Sequence, residues 1–172
     1  GTEEIMTCPS VVRLATVDDA PGVLKFCHMM HEEHGFASMN EHKVMMMIAR
    51  GVCQEGAIIG VIGEDPNNLE GVIALVLDEL WYTDDPHLSE LYNFVHPDHR
   101  KSGHAKALIE FAKKCSRDLE IPLIIGVFSN HRTEAKVRLY RRQFTDPAGA
   151  FFIYGKGAAE AHQRNAQTAK AA

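Results

Sequence analysis

The sequence predicts a single α/β or α+β domain, a sheet with helices on its faces, and three observations lead there. Short β-branched runs alternate with amphipathic stretches of helical period along most of the chain. A length of 172 residues falls within the single-domain range and is enough to bury about two-thirds of the unfolded surface in one core. With 45% hydrophobic and 24% charged residues and no repeat or low-complexity block, the chain has the make-up of a globular domain rather than a disordered one.

The elements follow in order. Val11–Ala15 is β-rich, and Thr16 can cap a helix whose first turn carries Asp18 and Asp19 at the positive end of its dipole. Val23, Leu24, Cys27, Met30 and His31 recur at helical spacing towards Gly35, which is expected to stop the helix in the left-handed conformation. Asn40 is placed to cap a second helix through Val44, Met45, Ile48 and Ala49, ending at Gly51. Ala57–Gly63 and Gly71–Leu77 then form a hairpin around Glu64-Asp-Pro-Asn-Asn, with Leu80–Tyr82 extending the second strand until Asp84-Asp-Pro breaks it. Ser89–Val95 is the next strand. Beyond Gly103, Ala105, Leu108, Ile109, Ala112 and Leu119 share one helical stripe, while Glu110, Lys113, Lys114 and Arg117 lie off it. Leu123–Phe128 is expected as a strand, Arg132–Gln143 as a helix and Ala150–Tyr154 as a last strand. Residues 1–155 make the domain, and 156–172, rich in Ala and Gln, form a helical or disordered tail.

A net charge of -5 and a pI near 6.0 argue against a nucleic-acid partner, which requires clustered Lys and Arg. No run approaches the roughly 20 apolar residues of a membrane span, and the first residues lack the pattern of a signal peptide, so the expected location is the cytoplasm. Cys8, Cys27, Cys53 and Cys115 are far apart and form no C-x-x-C pair; each is expected to be a small buried thiol.

The informative segment runs from Glu90 to Ala112, where an apolar strand passes through the polar turn Pro97–His104 into the amphipathic helix. Such a turn aims unpaired backbone N–H groups at one spot, and the helix dipole adds to them, so it suits an anion. Gly103 permits close approach of a phosphate, Ala105 leaves space, and Arg100 and Lys101 supply charge for a diphosphate. Val95, Pro97, Arg100, Gly103 and Ala105 fit the pattern V-x-P-x-x-[RQ]-x-x-G-x-[GA]. That pattern resembles the acyl-CoA signature of the GNAT superfamily of N-acyltransferases, and the order of elements over Val11–Tyr154 is similar to the family fold.

The resemblance implies a central mixed, mostly antiparallel sheet flanked by helices on both faces. It implies acetyl-CoA as cosubstrate, with the backbone of Phe94 and Val95 along the pantetheine arm and Arg100, Lys101, Ser102, Gly103, His104 and Ala105 at the pyrophosphate. Asn130 resembles the family asparagine that contacts the pantetheine, with Thr133 as the competing position. Tyr140 stands where the family places its general acid, although Arg-Arg-Gln-Phe follows it where the pattern has Gly-Phe. The same stripe, with Val137 and Phe144, also suits a core tyrosine.

The implied reaction transfers acetyl to an amine, whose pKa of about 10.4 calls for a base. Glu90 on the central strand is the first choice, since burial raises a carboxyl towards neutrality; His96, Glu79 and Glu33 stand behind it, and ordered water can carry the proton. His28, His31 and His34 lie too far around one helix to converge on an ion, so no metal is expected. They instead suit one wall of the acceptor pocket, with Trp81, Tyr82, Asp84, Asp85 and His87 as the other. A homodimer that covers an exposed sheet edge is plausible on general grounds. A non-catalytic CoA-binding or partner-binding module keeps the same fold and differs at Tyr140.

Overall fold

The β-branched runs pair into one sheet in chain order. The computed structural model describes residues 10–35, 37–128 and 133–155. Strands β1 (Val12–Leu14), β2 (Ala57–Ile62), β3 (Gly71–Glu79) and β4 (Pro86–Val95) are antiparallel neighbours, and β5 (Leu123–Ile124) joins β4 in parallel. Helices α1 (Ala20–His34) and α2 (Glu41–Val52) follow β1, α3 (His104–Leu119) joins β4 to β5, and α4 (Thr133–Gln143) follows β5.

Side chains that alternate along the strands divide the core in two. Ile59, Val61, Val72, Ala74, Tyr92 and Phe94 pack with Val23, Phe26 and Cys27 of α1 and Ile48 of α2. Ile62, Ile73, Leu75 and Leu88 pack on the opposite face with Leu108 and Ala112 of α3. Each fully buried aliphatic side chain contributes about 1.5–3 kcal/mol, so both faces stabilise the sheet. Gly60 brings α3 close, because a Cβ there would lie 2.6 Å from the Phe111 ring.

The chain enters α1 through an ion pair whose carboxylate is buried. Asp19 is completely buried and accepts bonds from Arg13 Nη1 and Nη2 at 2.7 and 2.8 Å and from the Thr16 amide at 2.7 Å. At α2 the side chain of Asn40 accepts from the Lys43 amide at 3.1 Å, the expected cap.

One irregularity shapes β4. Ala74 pairs with Tyr92 but Leu75 pairs with Glu90, so Leu91 is an extra residue on β4. The bulge moves the alternation by one. Tyr92 and Phe94 turn to the α1–α2 face, opposite Ala74 and Val72, while Asn93, opposite Ile73, shares the α3 face with Glu90, opposite Leu75.

Several expectations are corrected. Gly35 is extended (φ -67°, ψ 139°) rather than left-handed; glycine is needed there because a Cβ would lie 2.3 Å from the His31 ring. Leu80–Tyr82 turns instead of extending β3, with Thr83 N bonded to Leu80 O at 3.2 Å. β5 is limited to Leu123–Ile124, and Ala150–Tyr154 forms no strand. Leu119, at the end of α3, is half-exposed, and Cys53 is exposed beyond α2, whereas Cys27 is buried. Arg132, Cys8 and the 156–172 tail lie outside the described residues.

Candidate active site

The gap between β4 and β5 positions the site. β5 pairs only with Leu88 and Ser89, and among the described residues no strand pairs with that edge of β4 from Glu90 to Val95. A parallel strand that leaves its neighbour so early opens a slot lined by free backbone groups. α4 lies across it.

A cavity of about 130 Å³ sits there. Phe94 and Val95 of β4, Ala105 of α3, Lys136 and Tyr140 of α4, and Glu33 of α1 are among its walls. Four positions predicted for the cofactor, Phe94, Val95, Arg100 and Ala105, thus share one cavity with Tyr140.

The polar centre is a chain of three side chains. Asn93 Nδ2 donates to Tyr140 Oη at 2.7 Å and approaches Glu90 Oε1 at 3.3 Å. An amide nitrogen has two hydrogens, so it serves both acceptors and leaves the Tyr140 hydroxyl free to donate. Burial pushes the Glu90 carboxyl up to about 7, while Lys136, Asn93 and the Gly126 backbone restrain the rise. Burial first, and then the charge of Glu90, raises Tyr140 above the ordinary phenol range.

The turn Pro97–His104 is braced from within. Pro97–His99 is a single 3-10 turn; Ser102 Oγ donates to the His99 carbonyl and accepts from the His104 amide at 3.2 Å. The amides of Ala105 and Lys106 belong to the first turn of α3, which has no intrahelical carbonyl to offer them. Gly103 faces open space, since a Cβ would meet only Ser10 Oγ at 3.7 Å. Lys101 and Ser102 are exposed.

Arg100 departs from the expected role. Its guanidinium lies 5.1 Å over the Phe94 ring, with Nη2 2.8 Å from Glu33 Oε1 and Nε 3.3 Å from the Val95 carbonyl. The side chain therefore braces α1 against the strand end, and the charge of Glu33 offsets its own. Glu33, a lesser candidate for the base, is committed to that pair.

Thr133 opens α4, and Asn130 lies outside the described residues. His96 caps the turn by accepting from the Asp98 amide at 3.2 Å, and Glu79 is exposed at the end of β3. Trp81, Tyr82, Asp84 and Asp85 line an open hollow of about 890 Å³ within the hairpin tip Leu77–Asp85. His28, His31 and His34 do not converge: their Nε2 atoms lie 3.8 Å from Glu41, 2.5 Å from the Ala37 carbonyl and 3.4 Å from Glu33. Asn93 and Lys136 were not anticipated. Simple alternation from Glu90 puts Asn93 on the opposite face, and only the bulge reverses it.

A mixed sheet split beside a helix N-terminus, with a carboxyl and a phenol joined on one side of the split, offers a slot and free amides that suit a phosphate-bearing cosubstrate. The family model of the acetyltransferase (GNAT) domain matches residues 52–144, more than half of the chain. The chain belongs to the GNAT acetyltransferase family, enzymes that use acetyl-CoA. No curated protein sequence matches it significantly.

Solved structures agree on the fold. AAC(6')-Iy, in complex with the bisubstrate analog CoA-S-monomethyl-acetylneamine, superposes with TM-score 0.67 at 12% identity, over 87% of this chain and 99% of that one. A ribosomal-protein-alanine N-acetyltransferase from Brucella melitensis biovar Abortus 2308 gives 0.64 at 17% identity, over 86% and 99%. A possible acetyltransferase from Clostridium difficile 630 gives 0.64 at 15%, over 86% and 98%.

Proposed function

We propose that the protein transfers the acetyl group of acetyl-CoA to a primary amine by direct attack, with Glu90 taking the proton of the amine and Tyr140 giving one to the departing sulfur. The observation that carries this reading is the Asn93 bridge, which holds the two groups on one face of the split sheet.

Acetyl-CoA supplies the activated acyl group and a thiol leaving group. The fit rests on three features: the open edge of β4 at Phe94 and Val95, the opening amides of α3, and the free space at Gly103. The positions that would hold it are Phe94, Val95 and Arg100 to Ala105, with Asn130 or Thr133 near the pantetheine. Arg100 contributes through its backbone while Glu33 holds its side chain.

The electrostatics support a division of labour. A carboxylate of ordinary pKa is a poor base for an amine whose pKa is about 10.4, whereas one near 7 is stronger and still about half ionised at neutral pH. Tyr140 stays protonated, since burial and the neighbouring carboxylate disfavour the phenolate. A proton taken up by Glu90 removes that second cause. Tyr140 then becomes more acidic just as the thiolate leaves, and Asn93 keeps the two groups close enough to sense each other.

The acidic site and hairpin tip favour a cationic acceptor. Amines related to those named for two structural neighbours, neamine and a ribosomal-protein alanine, are the first to screen. The experiment is thiol release from acetyl-CoA over an amine panel, with Tyr140→Phe and Glu90→Gln alongside. Each substitution should lower kcat by about 10²–10⁴-fold and leave acetyl-CoA affinity intact. Undiminished turnover in both removes the assignment. Binding without thiol release on any amine favours the non-catalytic module.

A further inference from the structure

Among the described residues, one group of His and carboxylate side chains converges apart from Glu90, Asn93 and Tyr140, although the backbone of His104 also belongs to the proposed cofactor turn. Glu70 Oε1 lies 2.8 Å from His99 Nδ1 and 3.5 Å from His104 Nε2, and the three ligand atoms all fall within 4.8 Å of one another. The two imidazoles stack at 5.7 Å, 20° from parallel.

His104 makes this more than a surface cluster. It is only 9% exposed, and its buried Nε2 has no hydrogen-bond partner although it points at the Glu70 carboxylate. A buried nitrogen left in that state is costly unless something binds it. Its other nitrogen, Nδ1, is 2.6 Å from Ser10 Oγ. With the proton on Nδ1 donated to Ser10, Nε2 presents its lone pair to the cluster, the outer bond a metal-bound imidazole ordinarily makes.

We propose that Glu70, His99 and His104 bind a divalent first-row transition ion, zinc foremost, which clamps the turn before α3 to the loop joining β2 and β3. Two imidazoles and a carboxylate are a borderline-hard donor set suited to zinc, and three protein ligands leave a fourth position for water. At zinc–ligand distances of about 2.0–2.1 Å, tetrahedral ligand atoms stand about 3.3 Å apart, so the side chains need only small rotations. The backbone is already in place: His96 N bonds Glu70 O at 2.8 Å, tying the two segments together. The carboxylate disfavours an anion in the same position. The clamp does not depend on the acetyl transfer proposed above.

The test is a calorimetric zinc titration of the chelator-stripped full chain, with thermal melts of each variant without metal to check folding. One zinc per chain is expected, with affinity falling at least roughly tenfold in His99→Gln and in Glu70→Gln, both at partly exposed positions that spare the fold. His28→Gln with His31→Gln should leave binding unchanged. No saturable binding at 100-fold molar excess overturns the site. So does binding that survives His99→Gln and Glu70→Gln, or that disappears with the α1 histidines instead.

Discussion

Asn93 of β4 and Tyr140 of α4 meet beside the split in the sheet, amide nitrogen to phenol oxygen at 2.7 Å, and the same amide reaches Glu90 at 3.3 Å. The proposed proton acceptor and the proposed proton donor are thus joined by one side chain. Asn93→Ala should lower kcat by about tenfold or more while leaving acetyl-CoA binding unchanged, measured by steady-state kinetics beside calorimetry. Because the Asn93 bond lowers the Glu90 pKa, its loss should also move the kinetic inflection to higher pH.

Glu90 must be ionised to act as base. With its carboxyl pushed up to about 7, kcat/KM should climb through an inflection near pH 7, and Glu90→Gln should abolish that limb.

The same shift bears on stability. The folded carboxyl is raised from 4.5 to about 7, so the fold favours the protonated form. Stability from this group is fully present below pH 4.5 and is lost as pH rises through 7. Glu90→Gln should therefore raise the melting temperature at pH 8 more than at pH 5, by the equivalent of about 1–2 kcal/mol after allowance for the partial exposure of the side chain. An equal shift at both pH values would contradict it.

Gly103 tests the cofactor turn. A methyl group there meets only Ser10 Oγ at 3.7 Å, so Gly103→Ala should fold and bind, while Gly103→Glu adds bulk and charge where phosphates are expected. At about 100 times the dissociation constant, acetyl-CoA should stabilise the native chain by ~2.7 kcal/mol, a rise of roughly 5–10 °C, and should leave Gly103→Glu unmoved. A thermal-shift titration reads both.

Asp19 anchors the entry to α1. The Arg13 pair, foremost, and the Thr16 bonds hold its carboxyl below the usual range, so its contribution is present above pH 3.8 and fades as pH falls through the lower folded value. Asp19→Ala removes the carboxylate paired with the partly exposed Arg13 and leaves the Thr16 amide without its acceptor, and should cost about 1–3 kcal/mol by urea denaturation at pH 7.

Much of this was legible in the chain. β-branched runs and helical stripes located β1 to β4 and all four helices, because hydrophobic period is a local property that burial on one face imposes. The turn Val95–Ala105 could be nominated for an anion on the same local grounds: a strand, a short polar turn and a helix start produce free amides wherever they occur. Glu90 and Tyr140 could be nominated, by residue type and by family resemblance.

What only the tertiary structure decided depends on pairing between distant segments. The bulge at Leu91 arises from the register of β4 on β3, and it alone turns Asn93 to the side of Glu90. The two-residue pairing of β5, the diversion of Arg100 to Glu33, and the meeting of Glu70 with His99 and His104 likewise join residues far apart in sequence. No periodicity encodes them, because each is settled by which side chains the packed sheet and helices bring within bonding distance.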